Sequence, residues 1–549
     1  MSEKQNIKRI SPHASLALPE RFFELSGAKQ IDAILNVDKP RELIQSLPPE
    51  ELYFLIHEIG LQDCTDLISM SSSHQRKAFI DLDCWLGDTF DVSDFHRWLD
   101  IIKASSIHSV TETVGTLDPE LLVNYLLLNT HMIFDRSEED DILAYQSQGD
   151  IIYSPDREYA IGIPPQTRDS VDRLAFVIDQ MYRYDQDNAR NILRTAKADL
   201  RIEAEEMAWR FRTKRLCDLG FPEPEEAHTL YAPIRVQELL ASLEQDKPRQ
   251  YAEPEIPLGW SLAKAKNAGE FLDQCYHALD DTTRFVQQFV LCVNRAIVAS
   301  PEGIALRNLN RVNTITKDVH ATISLGLEHL AKGDISTGKA ILERVEFVHL
   351  FQVGHGLTRV LADRAKKLKQ RGGELFDEET TQLIAALGCR PQPKMGMSQG
   401  QWIPFRNCAE IAQVSQVLTR TETLCDVFEN SFGFTLDRFE KHVFQTIPES
   451  QRPMIDFQTL GRTLVAHIAL EHAPSFEPLE TEDVKALIQD SANICDRITR
   501  FANELETSTK TLLDEMASIL MQELPSKSTV DEQDLRALSS VLLIGREQA

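Results

Sequence analysis

The stretch Leu43 to Phe90 constrains this chain more than any other, because its prolines, caps and apolar spacing allow only short helices in quick succession. Pro48 and Pro49 set an extended entry and then a helical φ in a first turn, where Glu50 and Glu51 complement the helix dipole. Leu52, Leu55, Ile56 and Ile59 follow at i, i+3, i+4 and i+7, so one face is apolar, and Gly60 ends the helix. His57 and Glu58 fall on its expected solvent face and helix end. Leu61, Cys64, Leu67 and Ile68 form a second short stripe, and Ser72 or Ser73 can cap a third helix carrying Ala78, Phe79 and Leu82 toward Trp85. Helices of three turns or fewer are marginal alone, so each must bury its stripe on a neighbour. The expected fold is predominantly all-α: stacked short helices in a superhelix-like array.

The rest of the chain repeats this grammar. Residues 1–19 read as a polar arm, and 20–136 as the superhelix-like region, with Asp91 capping a helix that buries Phe95, Trp98, Leu99 and Ile102. Leu117-Asp118-Pro119-Glu120 is a second proline-led helix start, and Ile163-Pro164-Pro165-Gln166 a weaker third. Residues 137–246 hold the one β signal, a small hairpin of Ile151–Tyr153 and Tyr159–Ile163 around Ser154-Pro155-Asp156-Arg157. A long helix capped by Asp187 and running through Leu200 to Phe211 follows it. The Pro-rich stretch Lys247–Pro257 marks a boundary, 258–388 is a central helical region, and Cys389–Pro404 is a linker before a final helical region, 404–549.

Charge narrows the partners. With 85 acidic against 58 basic residues, the net charge of −27 repels phosphate backbones and anionic lipid, so nucleic acid is not expected. The apolar windows Leu121–Phe134 and Phe285–Ala299 are broken by polar residues and too short for a bilayer, so they read as buried helices and no membrane insertion is expected. Nine cysteines, odd in number and never spaced C-x-x-C, fit reduced thiols in a cytoplasmic protein, and the first residues lack an apolar segment of signal-peptide length.

Few motifs bear chemistry. Glu225 with His228, and Glu346 with His349, are E-x-x-H pairs, and two such pairs on facing helices can hold a divalent metal because i and i+3 project together. Fifteen histidines in so acidic a chain yield about one such pair by chance. Gly396-Met397-Ser398-Gln399-Gly400 fits G-x-S-x-G, but Pro391 and Pro393 before it and Pro404 after it leave no strand and helix to build a nucleophile elbow. Asp185 to Ala196 lacks the glycine and glutamate of a calcium loop. His467 and Glu471 read as a helical ion pair or a buried histidine, since no third group completes a dyad. Basic runs at Arg210–Arg215 and Arg364–Arg371 come near helix C-termini, where cations complement the dipole. There is no G-x-G-x-x-G, G-x-x-x-x-G-K-[ST] or H-E-x-x-H, and no cofactor is expected.

Leu47-Pro48-Pro49-Glu50-Glu51-Leu52 and the paired short helices after it make residues 43–134 resemble the N-terminal superhelical domain of MgtE-type magnesium transporters. Leu47–Gly60, Leu82–Asp88, Leu219–Ala227 and Leu350–Gly356 resemble an uncharacterised bacterial family of delta-proteobacterial type, over most of the chain. That likeness implies no activity and no site residues. The residues point to a noncatalytic cytoplasmic interaction or regulatory scaffold with a protein partner. The alternative is a metal-dependent enzyme or metal sensor whose carboxylate/His site uses Glu346, His349, Glu225 and His228.

Overall fold

The computed structural model describes residues 27–164, 168–244, 270–279, 283–304, 306, 308–449, 451–525 and 532–545. The expected arm at 1–19 and the boundary at Lys247–Pro257 lie outside them. The chain divides into two compact units, the first comprising 1–323 with 330–352 and the second 324–329 with 353–549. Helices dominate both, so the predominantly all-α expectation holds.

In the first unit the proline-led starts fold as their chemistry dictates. Helix Pro49–Ile59 has proline at its first position and ends at Gly60, whose φ of 118° lies in the region that favours glycine. Leu52, Leu55 and Ile56 are buried, and Tyr53 joins them. Helix Ser73–Asp83 begins in a capping box: Ser72 accepts from the Gln75 backbone N–H at 3.2 Å, and the Gln75 side chain accepts from the Ser72 N–H at 2.9 Å. The Gln75 amide also donates to the carbonyls of Ile44 and Leu47, both at 2.8 Å, tying this start to the preceding helices. Ser72→Ala is expected to cost about 1 kcal/mol, seen as a lower urea midpoint by circular dichroism; no shift would refute the cap's contribution.

Asp91 caps helix Val92–Ser105 as expected, accepting from Ser93 and Asp94 at 2.9 and 3.1 Å. Asp118 precedes helix Pro119–Asn129 without capping it through its side chain. Its carboxylate instead pairs with Lys77 and Arg215. Proline at the first position has already removed one orphan N–H, which frees the carboxylate for this tertiary role.

Several expectations are corrected. His57 is not on a solvent face: its ring packs on Tyr53 with centroids 4.3 Å apart. The window Leu121–Phe134 is not one helix. The helix stops at Asn129, and Met132–Asp135 becomes a strand paired antiparallel with Tyr159–Ile163. The expected hairpin forms, with Ile151 opposite Gly162 and Tyr153 opposite Ala160. Tyr159–Ile163 is thus the buried centre of a three-stranded sheet, and both its edges find backbone partners. Two more hairpins were not expected, Trp85–Leu86 with Thr89–Phe90 and Gly396–Ser398 with Gln401–Ile403.

The long helix expected from Asp187 is two helices, Gln186–Ala198 and Arg201–Asp218. Asp185, not Asp187, caps the first, accepting from Asp187 and Asn188 at 3.0 Å each. Asp199 and Leu200 are extended between them. Leu200 is also 66% exposed, so the apolar period carried across the break is not one buried stripe. Among the described residues no helix is long and apolar enough to cross a membrane.

In the second unit helix Cys408–Phe432, capped by Asn407 and closed by Gly433 in the left-handed region, is the longest element lying wholly within it. Its inner face packs Leu418, Cys425 and Phe428 with Leu361, Ala365 and Leu368 of helix Phe347–Gly372 in one core. Arg364 forks onto Glu422 at 2.9 and 2.8 Å, and seven residues on Arg371 forks onto Glu429 at 2.8 and 2.9 Å. The shared seven-residue spacing is two helical turns, so both pairs lie along one seam beside that core. A second core gathers Leu464, Leu487, Ile498, Leu513 and Leu520 from the C-terminal helices.

Candidate functional site

The two E-x-x-H pairs singled out by sequence lie on separate elements. Glu225 and His228 lie on the one-turn helix Pro224–His228, both exposed. Glu346 and His349 sit half-buried at the start of helix Phe347–Gly372, where the His349 N–H donates to the Glu346 carbonyl at 3.0 Å. Among the described residues no group of three or more His, Cys, Asp or Glu is placed to hold a metal ion.

Ser398 lies on an exposed hairpin whose two central residues, Gln399 and Gly400, have φ of 49° and 76°. That is a two-residue turn suited to strand twist, and the stretch expected to be a linker is a hairpin. His467 does not pair with Glu471. Its helix ends at Ala469, and its Nε2 lies 2.9 Å from the Glu477 carbonyl.

The first basic run is drawn inward. Arg215 holds the carboxylate of Asp81 with two bonds of 2.7 Å, and the Arg212 Nε donates to the Asp81 carbonyl at 2.7 Å. The Arg212 guanidinium stands 5.1 Å from the centre of the Trp85 ring. Arg215 does stand in the last turn of its helix, as expected, and the run has a tertiary role beside this: Arg212 and Arg215 tether helix Arg201–Asp218 to helix Ser73–Asp83. In the second run Arg364 and Arg371 are used by the seam, and Lys366, Lys367 and Lys369 face solvent.

Two buried polar centres escaped sequence reading. The carboxylate of Asp83 accepts from Tyr53 Oη at 3.0 Å, Trp98 Nε1 at 2.7 Å and Arg97 Nη2 at 2.9 Å. Burial pushes the Tyr53 hydroxyl well above the usual tyrosine range, and Asp83 adds to the effect. His320 lies between two carboxylates, Nδ1 2.8 Å from Glu270 and Nε2 3.0 Å from Asp273. Burial alone would lower its pKa, but the bonds to Asp273 and Glu270 outweigh it and hold the imidazolium up to about 9. The Asp83 and His320 side chains at their centres are buried, and both centres can orient the helices they join.

A concave feature with room for a partner lies in the second unit, a groove of about 890 Å³ between helices Glu378–Leu387, Cys408–Phe432 and Thr507–Glu523 and the hairpin at Gly396–Ile403. Val414, Thr421, Val427 and Met516 form its buried floor. Leu383, Met395, Leu424 and Leu512 are half-buried walls, and Met397 and Val417 are exposed on the rim. Arg420 bridges to Glu515 at 2.5 Å between two of the helices. The lining contains no His, Cys, Lys or Tyr. Of its three carboxylates Asp377 caps a helix, Glu515 is paired with Arg420, and Glu379 stands in the first turn of helix Glu378–Leu387. The groove has the size and the apolar floor to receive a segment of another chain.

The fold and groove define a class: predominantly helical proteins with an open, apolar-floored groove between helices. Within that class the chain belongs to the family of unknown function DUF6178, whose model matches residues 14–543. No curated protein and no solved structure matches it.

Proposed function

We propose that this protein is a noncatalytic cytoplasmic scaffold of a bacterial, delta-proteobacterial type, which binds a protein partner through the groove of its second unit. The observation that carries the reading is the groove itself: a largely apolar floor with Met397 and Val417 exposed at its edge, and no metal-ligating cluster among the described residues. Sites built to bind a helix present apolar residues at helical spacing, and exposed Val417 and half-buried Leu424 stand two turns apart over the buried Val414.

The test compares affinity capture by the wild-type protein and by a rim variant, Met397→Ser with Val417→Ser, both of which change exposed side chains. A partner captured at near one-to-one ratio by the wild type and reduced about tenfold in the variant is the expected result. Equal capture by both refutes the groove as the partner site. A stoichiometric transition metal in protein purified without a tag overturns the scaffold reading in favour of the metal alternative.

A further inference from the structure

We infer that the groove of the second unit takes a basic amphipathic helix of the partner protein, an inference that rests on the scaffold reading. Helix Cys408–Phe432 carries one broad apolar arc. Val414, Leu418, Cys425 and Phe428 are spent on the core shared with helix Phe347–Gly372. Beside them Val417 and half-buried Leu424 extend the arc over the groove. Helix Thr507–Glu523 divides in the same way, with Leu513, Ala517 and Leu520 in a core and Leu512 beside the groove. Two helices thus offer incompletely covered apolar faces to one concave surface, which is the geometry that receives the i, i+3, i+4, i+7 anchors of a third helix.

Length and charge specify the occupant. From Gln413 to Val427 the lining spans about 21 Å at 1.5 Å per residue. That suits a helix of about four turns. Met395, Met397 and Met516 supply unbranched side chains that adapt to varied apolar anchors. The lining carries Asp377, Glu379 and Glu515 against one base, Arg420, and Glu515 already neutralises that base. Asp377 caps helix Glu378–Leu387 and Glu379 stands in its first turn, so acid still exceeds base in the lining at that end, on a chain whose net charge is −27. Lysine or arginine on the flank of the incoming helix complements this field, and an acidic helix is repelled by it.

The test uses the full chain and two synthetic helices of about 15 residues with the same leucine stripe, one with lysine and one with glutamate at the polar positions, followed by fluorescence anisotropy at physiological salt. The lysine peptide is expected to bind about tenfold tighter than the glutamate peptide. Glu379→Lys with Glu515→Lys should remove or invert that preference, while Met397→Ser with Val417→Ser should weaken the lysine peptide about tenfold. Equal affinity for both peptides, or a lysine preference unchanged by the charge variant, overturns the basic-helix inference. If the rim variant still weakens binding in that case, the groove survives as the partner site. No binding of either peptide, or binding that the rim variant leaves unchanged, overturns the inference and removes this support for the groove itself.

Discussion

Replacing Asp83 with alanine is expected to destabilise the first unit by about 3–5 kcal/mol, the largest effect of any single substitution discussed for that unit. The Asp83 side chain is fully buried and gathers Tyr53, Trp98 and Arg97 from three positions in two neighbouring helices. Truncation removes the acceptor and leaves the Tyr53 hydroxyl and the Trp98 indole N–H dry and unpaired, which costs more than the bonds themselves contributed. Arg97 is 44% exposed and can turn to water, so its share of the loss is small. Asp83→Asn keeps one acceptor oxygen at the same place and should cost clearly less than the alanine variant. Urea denaturation followed by circular dichroism measures both; a loss below about 1 kcal/mol for Asp83→Ala would show that the hub does not organise these helices.

The second large effect is a pH dependence set by His320. Its folded pKa of about 9 lies above the unfolded value of about 6.5. The folded state therefore holds the proton more tightly. The stabilisation is fully present below about pH 6.5, declines as pH rises from there through about 9, and is gone above it. The difference of about 2.5 units corresponds to about 3 kcal/mol. The groups facing the ring are Glu270 and Asp273 on one side and the Phe289 ring, 6.0 Å away edge to face, on another. His320→Gln should be less stable than wild type near pH 6 and show a flatter stability profile between pH 6.5 and 9. Identical profiles for the two proteins would exclude the clamp as the source. Denaturation midpoints measured at a series of pH values decide between these results.

The local chemistry of the fold was legible in the sequence. Pro49 and Pro119 start helices because φ is preset and the missing N–H has no partner to lose. Ser72 and Asp91 cap because their oxygens reach orphan N–H groups one turn on. The alternation around Ser154–Arg157 made a hairpin legible, whereas the Trp85–Phe90 hairpin was missed although Gly87-Asp88 supplied a turn signal. The E-x-x-H pairs were legible as spacing alone, since a step of three along a helix puts two side chains on one face and says nothing of what that face meets. The breadth of the apolar arc on helix Cys408–Phe432 was present in its residues, but not which part of it would be covered.

By itself the sequence determined the helical class, the main helix starts and most of the buried stripes, since propensity, capping and periodicity act within a few residues. Only the tertiary structure decided which buried charges meet and where a surface stays open. Arg215 finds Asp81 across 134 residues of chain, and His320 finds Glu270 across 50. The groove exists because three helices and a hairpin leave one apolar stripe incompletely covered. Such pairings depend on how distant elements pack, and local periodicity carries no record of the distant partner.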